Sequence, residues 1–301
     1  MLLATEKFEV WGLTGSITTE TAVQSDYARE RLWHWISEID QACNRFKDGT
    51  EIQRINAAGG KRVHVSPTFE LALDAALRSS QMTEGLCDPT VLDSLLKLGY
   101  NRDYSTIKGT NFTVSAPLHP SPGVNAINYS RDDASVTLHN CTIDLGASAK
   151  ALTADLIAND VMEFGGVAVE IGGDVALRGL SPRSPWTIGI SDSLDVYGSE
   201  PRIAMGNGGV ATSSLGTRTW NVNNKTVNHI IDPRTGNFAS GPYATASVSA
   251  IDCVTANAFA TAALLWGEDA GFHIAQAGWS ARLVRSNGEV EYFGGWPMDH
   301  E

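Results

Sequence analysis

The sequence predicts an α+β fold in which mixed and antiparallel sheets are interleaved with helices. Many short β-like segments are bounded by Gly, Pro, Asn and Asp, which is typical of strands joined by turns. Helix-like segments lie between them without a regular βαβ repeat. With 43% hydrophobic and 19% charged residues among 301, the chain can build a substantial core. No repeat or linker-like segment divides it, so residues 1–301 are predicted to form a single unit of one or two lobes.

The N-terminal part is predicted to contain a strand, two helices and a group of hairpins. Residues 8–19 have the composition of a strand, and residues 20–45 have the periodicity of a long helix. Ser66 precedes Pro67 and has the position of an N-cap, which predicts a helix that ends near Thr83. Residues 104–142 contain short β-like runs separated by turn residues, which predict hairpins.

The remainder alternates between the two kinds of element and is predicted to end in a hairpin. Strands are predicted at 141–144, 167–171, 186–190, 209–212, 226–231 and 245–250. Helices are predicted at 148–164, 255–265 and 269–276.

Charge and composition exclude several classes of function. A formal net charge of −12 and a pI near 5.0 are unfavourable for nucleic acid and for anionic lipid, so a phosphate ligand would need a local pocket. The N-terminus lacks the pattern of a signal peptide, and no run of 18 apolar residues predicts a membrane span. We therefore expect a cytoplasmic protein, with its four widely spaced cysteines reduced and mostly buried.

The segment most indicative of chemistry is 143–151, with the sequence IDLGASAKA. A predicted strand ends in Asp144 and passes through Gly146 into a helix, so free backbone N–H groups at the helix start suit an anion such as a pyrophosphate. The structural alternative is an Asp that caps the helix and a Gly that makes the turn.

Four later segments follow in order, and each also has a structural explanation. Residues 170–174 (EIGGD) fit a turn between strands, and 210–214 (VATSS) precede Arg218. Residues 227–236 (VNHIIDPRTG) end in ordinary turn chemistry, with Val227, His229 and Ile231 on one face of a strand. Residues 255–262 (TANAFATA) place Asn257 and Thr261 on one side of a helix, although Ala-rich helices commonly serve close packing.

The order of these segments resembles the ApbE family of FAD:protein FMN transferases. The family's Asp-Leu-Gly into Ala-Lys, Gly-Gly-Asp, Thr-Ser, His-x-Ile-Asp-Pro-x-Thr-Gly and helical Asp-x-x-x-Thr patterns correspond to segments that begin at residues 144, 172, 212, 229 and 257. Two earlier segments, 50–56 (TEIQRIN) and 85–91 (GLCDPTV), are similar to family motifs as well. The resemblance covers residues 10–295.

The resemblance implies a T-fold-like, single catalytic unit that binds FAD with Mg²⁺ at the pyrophosphate. It implies transfer of the FMN unit to a Thr or Ser of an acceptor protein, with release of AMP. By position, FAD would be bound by Thr14, Phe46, Leu86, Cys87, Asp88, Asp144, Lys150 and Ile231. The metal would be held by the carbonyl of Ala147 and the side chains of Asn257 and Thr261.

His229 is the predicted general base or proton relay for the acceptor hydroxyl, because an imidazole has a reference pKa of about 6.5. Arg218 or Lys150 is predicted to counter the charge that develops on the transferring phosphoryl group.

Asn257 is the main departure from the family pattern, because the family has a metal-binding Asp there and the amide lacks its negative charge. Thr14 stands where the family has Met, and Cys87 where it has Phe. Two alternatives to the transferase therefore stay open. One is an FAD pyrophosphatase that yields FMN and AMP, and the other is a catalytically weakened FAD-binding protein.

Overall fold

The computed structural model describes residues 3–179, 185–191 and 201–297. Within these ranges, the α-helices are α1 (Ala22–Cys43), α2 (Glu51–Asn56), α3 (Pro67–Met82), α4 (Leu92–Lys97), α5 (Tyr104–Ile107), α6 (Gly146–Val161), α7 (Cys253–Trp266) and α8 (Ala270–Gln276). The strands are β1 (Ala4–Val10), β2 (Leu13–Thr19), β3 (Val63–His64), β4 (Asn111–Phe112), β5 (Ile127–Ser130), β6 (Ser135–Leu138), β7 (Val167–Ile171), β8 (Asp174–Arg178), β9 (Trp186–Gly189), β10 (Arg202–Met205), β11 (Gly208–Ser214), β12 (Thr219–Val222), β13 (Lys225–Asn228), β14 (Tyr243–Ala250), β15 (Ser280–Arg285) and β16 (Val290–Phe293).

The chain divides into two compact units. Unit 1 comprises Met1–Ile36, Lys150–Thr217 and Gly241–Glu301, and unit 2 comprises Ser37–Ala149 and Arg218–Ser240. Each unit is therefore assembled from segments that are distant in sequence.

Unit 1 is built on an antiparallel sheet of eight strands, in the order β1-β2-β7-β8-β11-β14-β15-β16. Helix α7 packs against β11 and β14. The approach is close at Gly209, where an added Cβ would lie 2.3 Å from the backbone nitrogen of Cys253. Glycine at this point of β11 therefore permits the N-terminal end of α7 to lie directly on the sheet.

Unit 2 contains two three-stranded sheets, β13-β12-β4 and β3-β6-β5. Its hydrophobic core includes Trp220, which is 1% exposed and donates a 2.7 Å hydrogen bond from Nε1 to the carbonyl of Leu98. Leu95, Ile107 and Ile231 are buried in the same cluster.

The predicted α+β class is confirmed, and several elements lie where the sequence places them. Helix α3 begins after Ser66, whose hydroxyl accepts a 3.1 Å hydrogen bond from the N–H of Phe69. The strand predicted at 167–171 is β7, and the closing hairpin is formed by β15 and β16. The four cysteines are free, and three of them are buried, as predicted.

Three predicted strands need correction. Residues 8–19 lie in two strands rather than one, because Trp11 and Gly12 take positive φ angles of 51° and 70° and close a tight hairpin. Residues 141–144 form no strand, since the N–H of Ile143 donates to the side chain of Asn56 and the N–H of Asp144 donates to the carbonyl of Pro89. The strand predicted at 226–231 ends at Asn228, so His229 follows β13.

Three short helices were not predicted, namely α2, α4 and the single turn α5, which interrupts the predicted hairpin region. In the part of the chain that the structure describes, no helix has both the length and the apolar character needed to cross a membrane.

Candidate functional site

The predicted site residues divide between the two units. Unit 1 contains Thr14, Lys150, Asn257 and Thr261. Unit 2 contains Phe46, Leu86, Cys87, Asp88, Asp144, Ala147, Arg218, His229 and Ile231.

In unit 2, Asp144 lies at the start of α6 and caps it. Its Oδ1 accepts a 2.6 Å hydrogen bond from the N–H of Gly146, and its Oδ2 forms a largely buried ion pair with Arg45. The Asp144 backbone N–H donates to the carbonyl of Pro89 at 2.8 Å. The structural explanation of this segment, a capping Asp before a turn Gly, therefore applies whether or not a ligand binds there.

Residues of segment 50–56 hold the backbone on either side of the Arg45–Asp144 ion pair. The side chain of Asn56 donates to the carbonyl of Ile143 at 2.9 Å and accepts from the N–H of Ile143 at 2.8 Å. Gln53 donates from Nε2 to the carbonyl of Arg45 at 3.1 Å. These contacts fix the backbone next to both partners of the Arg45–Asp144 ion pair.

Segment 86–88, predicted to line the flavin site, is buried. Leu86 and Cys87 are 6% and 7% exposed. Asp88 Oδ1 accepts from both the N–H and the hydroxyl of Thr90, each at 2.8 Å, so the carboxylate caps a 3₁₀ turn. Burial raises the pKa of Asp88, although these bonds to Thr90 act in the opposite direction. Phe46, in contrast, is 39% exposed.

The backbone around His229 is held by its neighbour Asn228. The Asn228 side chain accepts from the N–H of Ile230 at 3.0 Å and donates to the carbonyl of Ala239 at 2.9 Å. Ile231 is buried and pairs with Phe238 in an isolated bridge. The half-buried imidazole of His229 is thus carried on a fixed stretch of backbone.

The turn at 232–236 is built by Asp232, whose carbonyl accepts from the N–H of Gly236 at 2.8 Å. Gly236 has a φ of +73°, and an added Cβ would lie 2.1 Å from the carbonyl oxygen of His119. Only glycine fits this position without movement of the backbone.

Arg218 is half-buried, and its Nη1 donates a 3.3 Å hydrogen bond to the hydroxyl of Tyr100. Among the residues that the structure describes, no carboxylate forms an ion pair with it. This cation is therefore suited to an anionic ligand.

In unit 1, Lys150, Asp174 and Asn257 form one cluster. The Asn257 amide donates from Nδ2 to Asp174 Oδ1 at 2.9 Å, and Lys150 Nζ lies 3.3 Å from Asp174 Oδ2. Asp174 is 2% exposed and Asn257 is 6% exposed. A buried carboxylate is thus matched by one ammonium group and one neutral amide.

Asn257 and Thr261 lie one turn apart on α7, as predicted, and Thr261 Oγ1 is 3.1 Å from the Ser213 hydroxyl. No group of three His, Cys, Asp or Glu side chains suited to a metal occurs in the described ranges. The amide carbonyl of Asn257 and the Thr261 hydroxyl are hard, neutral oxygens. They fit Mg²⁺ only as minority ligands of an ion that takes its other ligands from phosphate and water.

Thr14 and Ala147 are both exposed. The carbonyl of Thr14 accepts from the N–H of Gly172 at 3.0 Å, which links it to the Gly-Gly-Asp segment. The predicted ligand contacts of both residues stay predictions.

Sequence reasoning missed Arg45, Tyr100 and Asn228 as members of these groups. Arg45 and Tyr100 lie outside every quoted motif, and nothing in their local sequence indicates that they meet. Asn228 lies inside the segment 227–236, but its role depends on a bond to Ala239 that only the fold reveals. Asp174 ends the Gly-Gly-Asp segment, but the local sequence does not indicate its contacts with Lys150 and Asn257.

A sequence model described as the ApbE family matches residues 11–283. The fold and this match define the class of protein: the chain belongs to the ApbE family. The match confirms the predicted family.

Curated relatives carry the name FAD:protein FMN transferase. The chain is 26% identical to the one from Vibrio cholerae, with 88% of this chain and 78% of that protein aligned. It is 28% identical to the one from Chlamydia muridarum, with 79% of this chain and 76% of that protein aligned. These matches confirm that the chain is an enzyme of the transferase class.

Solved structures share the fold. The ApbE protein of Thermotoga maritima superposes with a TM-score of 0.82 at 24% identity, covering 97% of each chain. The flavin transferase ApbE of Vibrio cholerae superposes with a TM-score of 0.75 at 20% identity, again covering 97% of each chain.

Proposed function

We propose that this chain binds FAD and transfers its FMN unit to the hydroxyl of a Thr or Ser on an acceptor protein, with release of AMP. The observation that carries the proposal is the alignment of 88% of the chain with a curated FAD:protein FMN transferase. Two observations support it: no carboxylate of the described residues pairs with Arg218, and the imidazole of His229 lies on a fixed backbone.

In the proposed reaction, the acceptor oxygen forms a bond to the FMN phosphorus, and the bond from that phosphorus to the AMP oxygen breaks. The hydroxyl proton passes to the imidazole of His229, and AMP leaves with the electron pair of the broken bond. Arg218 donates hydrogen bonds to phosphoryl oxygens on which charge develops.

In unit 1, Asn257 and Thr261 are proposed to hold Mg²⁺ together with the ligand's phosphate oxygens. A bound Mg²⁺ supplies charge neutralisation at the pyrophosphate. The ion pair with Asp174 holds the ammonium group of Lys150 in place, and the same carboxylate accepts a hydrogen bond from Asn257.

The test incubates the purified chain with FAD and peptides that carry a single Thr or Ser, with and without Mg²⁺. AMP is followed by chromatography, and covalent FMN on the peptide by mass spectrometry. Joint appearance of AMP and flavinylated peptide supports the transferase. AMP and free FMN without peptide indicate the FAD pyrophosphatase, and bound but intact FAD indicates the weakened FAD-binding protein, an alternative favoured by the neutral Asn257.

The His229→Ala variant tests the proton step, with His139→Ala as a matched control because His139 is exposed. Loss of general base catalysis should slow flavinylation by about 10²-fold or more in His229→Ala. Equal rates in the two variants would rule out His229 as the base.

A further inference from the structure

Two arginines of unit 2 contact the same buried tyrosine. The guanidinium carbon of Arg45 lies 4.8 Å from the ring centroid of Tyr100, and Arg218 Nη1 donates to the Tyr100 hydroxyl at 3.3 Å. Tyr100 is 6% exposed, and its ring also packs against Trp220 with centroids 5.3 Å apart. One rigid side chain therefore holds two cations from segments that are distant in sequence.

Arg45 is itself a support rather than a surface group. Its side chain is 7% exposed, and its Nε donates to Asp144. The guanidinium carbon lies 4.0 Å from the ring centroid of Phe46, so the group lies against two aromatic rings. Its buried Nη2 has no hydrogen-bond partner among the described residues, which is consistent with a cation held by rings on its faces.

The cluster carries a net positive charge, because two guanidinium groups outnumber the one carboxylate of Asp144. This is unusual in a chain with a formal net charge of −12. Burial raises the pKa of Tyr100, although the two nearby arginines act in the opposite direction, so the phenol stays neutral and adds no negative charge. An uncompensated, half-buried arginine on a rigid support is a typical recognition group for a phosphate.

We propose that Arg45 and Tyr100 are positioning residues of an anion subsite in which Arg218 contacts a phosphate of the ligand. Tyr100 fixes Arg218 through its hydroxyl, and Arg45 fixes Asp144 through an ion pair. Their stacked side chains make these two supports one unit. The inference rests on the proposed function, which identifies the phosphorylated ligand as FAD.

The test is Tyr100→Phe, which keeps the ring that stacks on Arg45 and removes only the hydroxyl that holds Arg218. Dissociation constants are measured by calorimetry for FAD, inorganic pyrophosphate and riboflavin, which has no phosphate. Loss of a hydrogen bond to a charged group should weaken FAD and pyrophosphate binding about tenfold. Riboflavin affinity should change less than about twofold, because the ring packing is preserved.

Tyr129→Phe is the matched control, since it removes a hydroxyl that donates to Glu70 at 2.7 Å and lies outside the cluster. It should leave all three dissociation constants unchanged. If thermal melting reports that Tyr100→Phe is unfolded, Arg218→Lys replaces it, because lysine keeps the charge and loses the planar fork.

Equal weakening of FAD and riboflavin would overturn the inference, because it would indicate a collapsed pocket instead of a lost anion contact. Unchanged affinity for FAD and pyrophosphate in Tyr100→Phe would overturn it as well. A native chain that binds pyrophosphate through this subsite but does not bind FAD would leave the inference standing and overturn the proposed function. A native chain that binds neither probe would overturn both.

Discussion

The side-chain amide of Asn257 donates a 2.9 Å hydrogen bond to Oδ1 of Asp174, and this bond decides how the amide is oriented. The amide nitrogen faces Asp174, so the carbonyl oxygen is the end left for other partners. A carboxylate at position 257 would face a second buried carboxylate instead. Asn at position 257 therefore makes a hydrogen bond where Asp would make a like-charge contact.

Asn257→Asp should increase the affinity for a divalent cation by at least about tenfold. The carboxylate introduced at position 257 and that of Asp174 would lie close together and repel each other. A cation bound between them would relieve this repulsion. Mn²⁺ binding to the chain, measured by calorimetry or by electron paramagnetic resonance, checks this expectation. Asn207→Asp is the control, because it adds the same charge at an exposed position of unit 1. Equal Mn²⁺ affinities in the two variants would contradict the prediction.

Without a metal, Asn257→Asp should unfold at a lower temperature than the native chain. The loss should amount to about 2 kcal/mol, since the second charge is buried beside Asp174 without a partner of its own. Addition of Mn²⁺ should restore part of the loss, because a ligand that binds only the folded state stabilises it. A melting temperature that does not respond to Mn²⁺ would argue against a metal site at this position.

Lys150→Met should destabilise unit 1 by about 3 kcal/mol, because it leaves the carboxylate of Asp174 buried with less charge compensation. Chemical denaturation of the variant and the native chain measures this difference. Lys61→Met changes an exposed lysine and should cost less than about 0.5 kcal/mol. Similar losses in the two variants would indicate that the Lys150–Asp174 pair is not important for stability.

Asp88→Asn should gain stability relative to the native chain as the pH rises from 4 to 7. Burial raises the pKa of Asp88 in the folded chain, so its contribution to stability is present below the unfolded pKa and is lost as the pH rises through the folded pKa. Asparagine does not ionise in this range and keeps an oxygen that accepts from Thr90. Melting temperatures at both pH values give the measurement.

Asp48→Asn provides the control for this pH dependence, because Asp48 is exposed. Its melting-temperature difference from the native chain should be the same at pH 4 and pH 7. If the melting-temperature difference between Asp88→Asn and the native chain were also the same at both pH values, burial would not raise the pKa of Asp88.

Asn56→Asp should cost about 3 kcal/mol of stability and weaken FAD binding. The side chain of Asn56 donates to the carbonyl of Ile143 and accepts from its N–H. A carboxylate cannot donate, so one of its oxygens would face the carbonyl oxygen of Ile143 and repel it. Denaturation and FAD titration measure the two effects. Asn128→Asp, an exposed change in β5, should leave both unchanged. A variant as stable as this control would contradict the structural role of Asn56.

The sequence allowed prediction of those elements whose signals are local. Ser66 before Pro67 marks the start of α3, and the helical spacing of Asn257 and Thr261 is present in α7. The strand predicted at residues 141–144 is wrong because its signal is not local. A strand forms only if the backbone of another segment pairs with it. Here Asn56 provides the pairing.

The contact of Arg45 with Tyr100 could not be predicted for the same physical reason. Nothing near either residue in the sequence indicates its partner, because the approach depends on how the distant segments around residues 45 and 100 pack in unit 2. The resemblance to a known family predicted Asp144 as a site residue, and the chemistry of phosphoryl transfer predicted Arg218, but neither argument indicated the side chains that hold them.

The bond between Asn56 and Ile143 joins residues that are 87 positions apart in the chain. Because Asn56 holds the backbone of Ile143 directly, the position of Asp144 does not depend on the conformation of the intervening loops. Insertions and deletions in the exposed stretch 115–117 should therefore be tolerated, so this stretch is a suitable position for an affinity tag or a fluorescent label.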